Sequence, residues 1–198
     1  MADQVFLQKA TKLFLKNGAK TLTMDDVARE FGISKKTLYQ MYRNKEELIE
    51  DVLAFKLQDI INRMKELDQE FDNAVERMFC KDTEIESAIN SNNSVFIRQL
   101  LKYYPAIFNK HMVNFSSKFS DVLVGNIEKG RKQGFYRDGF NAELYAKFIF
   151  QIMLSYDSTP FFAEEEVDYE EFHDEALMMY MHAITTEKGK EILKKINS

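Results

Sequence analysis

Two prolines, Pro105 and Pro160, and seven glycines are the only strong backbone breakers in a chain of 198 residues. Proline removes a backbone donor, and glycine weakens a helix or strand by about 0.5–1 kcal/mol. A chain poor in both, and rich in Leu, Met, Phe, Lys and Glu, favours long helices. No stretch shows the apolar/polar alternation of a half-buried strand, and no glycine-rich phosphate loop or internal repeat occurs. The expected fold class is all-α.

The punctuation predicts where the helices start and stop. Val5, Phe6, Ala10, Leu13 and Phe14 recur at helical spacing, and Asn17-Gly18 closes that helix. Thr23 reads as an N-cap with Asp26 three residues on, a near capping box, and its helix "MDDVAREF" stops at Gly32. Ser34 caps "KKTLYQMY". Asn44, with Glu47 three residues later, caps a fourth helix that runs to about Leu67. Further helices are expected at roughly 70–80, 83–103, 106–133, 141–157 and 168–185, with a tail helix near 187–196. The acidic "AEEEVDYEE" reads as solvated charge at a helix N-terminus.

Charge divides the chain. Its formal net charge is -5, yet residues 1–53 hold nine Lys/Arg against eight Asp/Glu and come to +1, leaving -6 for the remainder. The asymmetry suggests an N-terminal module with a partner of its own. We place its boundary at residues 1–50, with 51–198 as a second helical domain.

The segment 23–45 carries the skeleton of a helix-turn-helix. Such a motif needs apolar residues on the inner face of its first helix, a small residue at the crossing, glycine in the turn and an apolar inner face on its second helix. Val27 and Phe31, Ala28, Gly32, Ile33, and Leu38 with Met41 meet these demands in turn. With Leu38 and Met41 inward, Lys35, Lys36, Thr37, Tyr39 and Gln40 fall on the outer side or N-terminal edge, where a recognition helix meets bases. Lysine offers charge to phosphates or guanine acceptors, and tyrosine a hydroxyl to phosphate. Tyr42 and Lys45 are expected on the same exposed face, with Lys45 opening a helix whose backbone N–H groups can hold a phosphate. Singly, each residue is explained as well by core packing or a solvated helix start; together with the skeleton they point to duplex DNA.

"TMDDVAREFGISKKTLYQMYRNKEELI" closely resembles the N-terminal DNA-binding domain of TetR-family transcriptional regulators, and the specific resemblance covers about residues 5–55. The chain departs from the family pattern at Met41-Tyr42-Arg43, where a second aromatic more often follows the tyrosine. The later phrases "GRKQGFYRDGFNAELYA" and "AITTEKGKEIL" extend the similarity. The resemblance implies an all-α chain of nine or so helices: a three-helix DNA-binding domain followed by a helical domain for ligand binding and dimerisation. It implies a homodimer on a double-stranded operator, acting as a repressor released when a small effector alters the spacing of the two reading heads. Carried onto this sequence, the DNA-contacting set is Thr23, Ser34, Lys35, Lys36, Thr37, Tyr39, Tyr42 and Lys45. The family's four-helix dimer interface falls on 141–157 and 168–185, which hold Leu144, Phe148, Ile152, Leu177, Met178, Met181 and Ile184.

The larger domain is dense in Phe, Tyr and Met between residues 96 and 156, a composition suited to a mainly apolar effector. His111, Asn114 and Gln151 are polar groups within apolar helical stretches. Together with Phe115 and Phe119 they form the candidate effector set, although each aromatic taken alone reads as ordinary core.

Other classes find less support. Glu170 and His173 lie one helical turn apart but lack a third metal ligand, and no nucleophile–base pair is visible, so neither a catalytic nor a metal site is expected, and no cofactor. The single cysteine, Cys80, fits a reducing cytoplasm. No apolar run approaches the roughly 20 residues that span a bilayer, and lysines interrupt the N-terminal apolar face, which makes a poor signal peptide. The alternative is an all-helical ligand-binding or interaction protein that has lost DNA binding. The lysines of "SKKT" argue against it, because a lost function would tolerate acids there.

Overall fold

A computed structural model describes residues 4–80, 82, 93–158 and 167–196. Among these the regular structure is ten helices, one more than the nine or so expected: α1 Gln4–Asn17, α2 Met24–Glu30, α3 Lys35–Met41, α4 Lys45–Glu70, α5 Ala74–Met78, α6 Asn93–Tyr103, α7 Pro105–Lys132, α8 Ala142–Ser158, α9 Tyr169–Ile184 and α10 Glu187–Ile196. The only extended pairing among them is an isolated bridge between Tyr136 and Thr185. Helix α4 outruns its expected end at Leu67 and α5 is one short turn rather than a helix over 70–80. The expected helix over 83–103 is described from Asn93 on; residues 83–92, Pro160 and the first part of the acidic segment lie outside the described residues.

The packing divides the chain into two units: residues 1–60 with 87–115, and 61–86 with 116–198. In the first, α1 turns Ala10, Thr11 and Phe14 inward, and the Phe14 ring meets the edge of Phe96 on α6, centroids 6.3 Å apart. Gly18 ends α1 at φ +80°, and a Cβ there would collide with the Gln99 amide of α6. The same amide accepts a hydrogen bond from the Lys20 backbone N–H at 2.6 Å. The α1–α2 turn is thereby pinned to a helix some eighty residues away.

In the second unit, Tyr136 is buried and its hydroxyl donates to the Ala74 carbonyl at 2.9 Å, beside Asn126 Oδ1 at 3.1 Å. Burial pushes that phenol well above its ordinary pKa, so it stays a neutral donor. Arg77, also buried, is paired with Asp68 at 2.6 Å and donates to the Met64 carbonyl at 3.1 Å. A buried guanidinium is tolerable when so satisfied. Helices α8 and α9 pack on one another, with Tyr156 and Phe172 in the shared core.

Candidate DNA interface

The two helices of the motif are built by local rules. At α2, Thr23 Oγ1 accepts from the Asp26 N–H (3.1 Å), and the Thr23 N–H donates to Asp26 Oδ2 (3.0 Å), a complete capping box. At α3, Ser34 Oγ accepts from the Thr37 N–H at 3.0 Å. Gly32 supplies φ +63° between them, and the Ile33 N–H bonds back to the Ala28 carbonyl at 3.0 Å. Val27, Ala28 and Leu38 are fully or nearly fully buried. At α4, Glu47 and Asn44 complete a third start: the Glu47 N–H donates to Asn44 Oδ1 (2.9 Å) and the Arg43 N–H to Glu47 Oε2 (2.9 Å).

One inner-face assignment is corrected. Met41 is 40% exposed, whereas Tyr42 is 4% exposed. Leu38 and Tyr42 are four residues apart and share a face, while Met41 is rotated off it. The Tyr42 ring stacks on Phe6 of α1 at 6.0 Å, and its hydroxyl donates to Asp51 of α4 at 3.0 Å. Burial first, then the Asp51 charge, pushes this phenol well above its ordinary pKa. Tyr42 therefore does not lie on the exposed face; it ties the end of α3 to α1 and α4. The turn glycine, Gly32, is needed for its backbone and not for lack of room. A Cβ there meets nothing within 4 Å, so its requirement is conformational alone.

The remaining outer residues fall into three groups. Lys36, Thr37, Tyr39 and Gln40 are exposed on α3. No partner stands against Lys36 among the described residues, and Lys35 is paired with Asp25 of α2 at 2.5 Å. Ser34 Oγ and Thr37 Oγ1 are 2.8 Å apart, so one hydroxyl hydrogen of the pair remains to donate outward. Thr23 is exposed, but both its N–H and its hydroxyl (2.6 Å) are directed to Asp26. Lys45 is half-buried rather than exposed: its Nζ donates to the Lys20 carbonyl at 3.0 Å and sits 6.0 Å from the Tyr104 ring centroid. Burial lowers its pKa, the nearby Glu46 and Asp26 opposing.

The expected effector residues differ in burial and are divided between the two units. Asn114 and Gln151 are exposed, so they do not converge on an interior site of this chain. Phe115 is buried in the first unit. His111, also there, has a buried Nε2 without a hydrogen-bond partner, and burial is the main cause of its lowered pKa. Phe119 belongs to the second unit, its ring 5.1 Å from that of Phe150. Sequence reasoning missed two further buried hydroxyls in that unit, Ser120 Oγ and Tyr180 OH, which also have no partner. Only tertiary packing reveals them. Of the residues expected at a dimer interface, Leu144 and Phe148 are 46% and 48% exposed, but Leu177, Met181 and Ile184 are core of this chain. Met179, not expected there, is 58% exposed.

Among the described residues no helix is long and apolar enough to cross a membrane. A capped, glycine-turned pair of short helices presenting Lys36, without an ion-pair partner among the described residues, and the polar face of α3 outward, inside an all-α chain, defines a helix-turn-helix DNA-binding protein. Residues 6–52 match the family model described as bacterial regulatory proteins, tetR family. The chain is 25% identical over 146 residues to the HTH-type transcriptional repressor KstR2 of Rhodococcus jostii, covering 72% of each protein. A transcriptional regulator from Cytophaga hutchinsonii shares its fold at a TM-score of 0.70 and 21% identity, over 92% of this chain and 98% of that one. FadR of Bacillus subtilis, crystallised with stearoyl-CoA, does so at 0.63 and 17%, over 89% and 96%. Residues 6–52 are thus those of a tetR-family regulator's DNA-binding segment, and the relatives extend the likeness along most of the chain.

Proposed function

We propose that this regulator is a homodimeric repressor, released from its operator by a small, mainly apolar effector with a polar end. The observation that carries the effector is the two buried hydroxyls, Ser120 Oγ and Tyr180 OH, left without hydrogen-bond partners in a unit whose interior is mainly aromatic and aliphatic and whose buried Arg77 and Asn126 are satisfied. A buried donor without an acceptor costs about 1–3 kcal/mol, and a ligand acceptor would recover it. The names of two similar proteins support the class: one is a repressor, and the other was crystallised with an acyl thioester. Dimerisation is supported by Leu144, Phe148 and Met179, large apolar side chains exposed on two helices that pack together. Residues 1–50 act as the reading head and 51–198 as the domain that binds effector and partner. In the head, Lys36, Tyr39, Lys35, Thr37 and Ser34 face DNA, Thr23 and Lys45 border it, and Tyr42 positions α3. Acting on operator DNA places the protein in the cytoplasm.

Stearoyl-CoA titrated into the protein–operator complex tests this reading. Tenfold weaker operator binding corresponds to about 1.4 kcal/mol of coupling. An operator affinity unmoved by saturating stearoyl-CoA would remove the acyl-thioester class. Sedimentation at micromolar concentration that shows only a species near 23.3 kDa would remove the dimer.

A further inference from the structure

Two packed stretches of the first unit contain no acid. Residues 4–24 hold Lys9, Lys12, Lys16 and Lys20; residues 93–115 hold Arg98, Lys102 and Lys110; neither holds Asp or Glu, although roughly one residue in six of the chain is acidic. Lys9, Lys12 and Lys16 are spaced three and four apart, so they share one face of α1, and all three are exposed. The opposite face, through Phe14, packs on Phe96 of α6. The row leads to a point where the two stretches meet. There Lys20 Nζ lies 4.1 Å from the centroid of the Tyr103 ring, and Lys102 Nζ lies 5.5 Å from the same centroid. Tyr103 is 40% exposed.

Two ammonium groups on one exposed ring, with no carboxylate paired to either among the described residues, repel each other. The ring face offsets part of that repulsion through its quadrupole. A polyanion would offset the rest. The cluster is held firmly by the Gln99 amide on the Lys20 N–H. It also adjoins the reading head: Lys20 is three residues before Thr23, and its carbonyl accepts from Lys45 Nζ at the start of α4. Lys110 is excluded from the cluster because Glu50 neutralises it at 2.8 Å.

We propose that Lys20, Lys102 and Tyr103 form a second phosphate-contacting patch, which grips the duplex backbone flanking the base pairs read by α3. Lys102 and Tyr103 belong to α6, outside the helix-turn-helix, so the patch contributes affinity without reading sequence. The inference rests on the DNA-binding reading, and the test separates the two.

The full-length protein first selects its duplex from random-sequence DNA. The selected duplex is then made in two lengths, one ending at the motif and one longer by roughly one helical turn on each side. Affinity and its salt dependence are read by fluorescence anisotropy. The wild type is expected to gain about tenfold in affinity from the flanks, with a salt slope steeper by about 0.9 for each added phosphate contact. In Lys20→Gln/Lys102→Gln that gain disappears. Lys20→Arg/Lys102→Arg, which keeps both charges, restores it and controls for folding. A wild type that gains nothing from the flanks, or a double Gln variant that keeps the full gain, overturns the patch. Unchanged DNA binding together with lost binding to phosphatidylserine vesicles would assign the patch to a membrane instead. If the wild type selects no duplex at all, the DNA-binding reading itself fails.

Discussion

Helices α2 and α3 are both seven residues long and both start on a hydroxyl cap, yet they treat the positive end of their dipoles in opposite ways. Helix α2 places Asp25 and Asp26 in its first turn, where acids are favoured by about 0.3–1 kcal/mol each. Helix α3 has no acid there and opens on Lys35-Lys36. Local rules are satisfied in the supporting helix and violated in the reading one. Asp25 of α2 neutralises Lys35 of α3, so the supporting helix also relieves part of the violation. Lys36 is left bare, and a phosphate at that helix end would meet both its ammonium and the free N–H groups.

Four experiments test this contrast. Lys36→Glu should have the largest effect and give opposite signs in two assays. Operator affinity should fall by on the order of a hundredfold, while the isolated change at the helix end stabilises α3 by about 0.3–1 kcal/mol. A variant that loses thermal stability while binding normally would reverse the roles assigned to the two helices. Next is Gly32→Val in the turn that joins them. With open space around a Cβ but φ at +63°, unfolding should be easier by about 1–3 kcal/mol through backbone strain alone, measured by urea melts. Gly32→Asn, which tolerates that region better, should lose less.

Thr23→Ala removes the cap of α2 and should destabilise by about 1 kcal/mol. Because the Thr23 donors also hold Asp26, some of that loss should vanish in an Asp26→Asn background. Additive losses in the double-mutant cycle would dissolve the capping box as a unit. The smallest effect is a pH dependence confined to α2. The Thr23 hydroxyl, and then the Thr23 backbone N–H, hold the Asp26 carboxyl below its ordinary value of 3.8. A depressed folded-state pKa contributes stability that is fully present above 3.8 and fades as pH falls through the lower folded value. An NMR titration of Asp26 should therefore give a midpoint below 3.8, and the start of α3, which has no acid, should contribute nothing to that acid transition.

The head was legible because its signals are local. Thr23, Ser34, Asn44 and Gly32 each act within three or four residues, and the hydrogen bonds lie where the spacing put them. Apolar character favours Met41 for the inner face, but position decides: tyrosine, four residues from Leu38, packs inward and sends its hydroxyl to Asp51. Legibility faded where partners come from far along the chain. The exposure of Asn114 and Gln151, the orphaned Ser120 and Tyr180 hydroxyls and the burial of Leu177, Met181 and Ile184 all depend on which helix faces which. Helical periodicity names a face but not its neighbour. The Tyr136–Ala74 hydrogen bond, across 62 positions, has no signature in either segment.

The clasp of Gln99 on the α1–α2 turn has a consequence for biosynthesis. The reading head leaves the ribosome ahead of α6, yet Phe14 and the Lys20 N–H find their partners only when Phe96 and Gln99 have been made. Until then the Phe14 contact of α1 is unmade, and that ring lacks its α6 neighbour. At about 5–20 residues per second, that interval lasts several seconds. The nascent head therefore waits for its clasp, and a chain terminated between residues 60 and 95 should be a substrate for chaperones and proteases rather than a free-standing DNA binder.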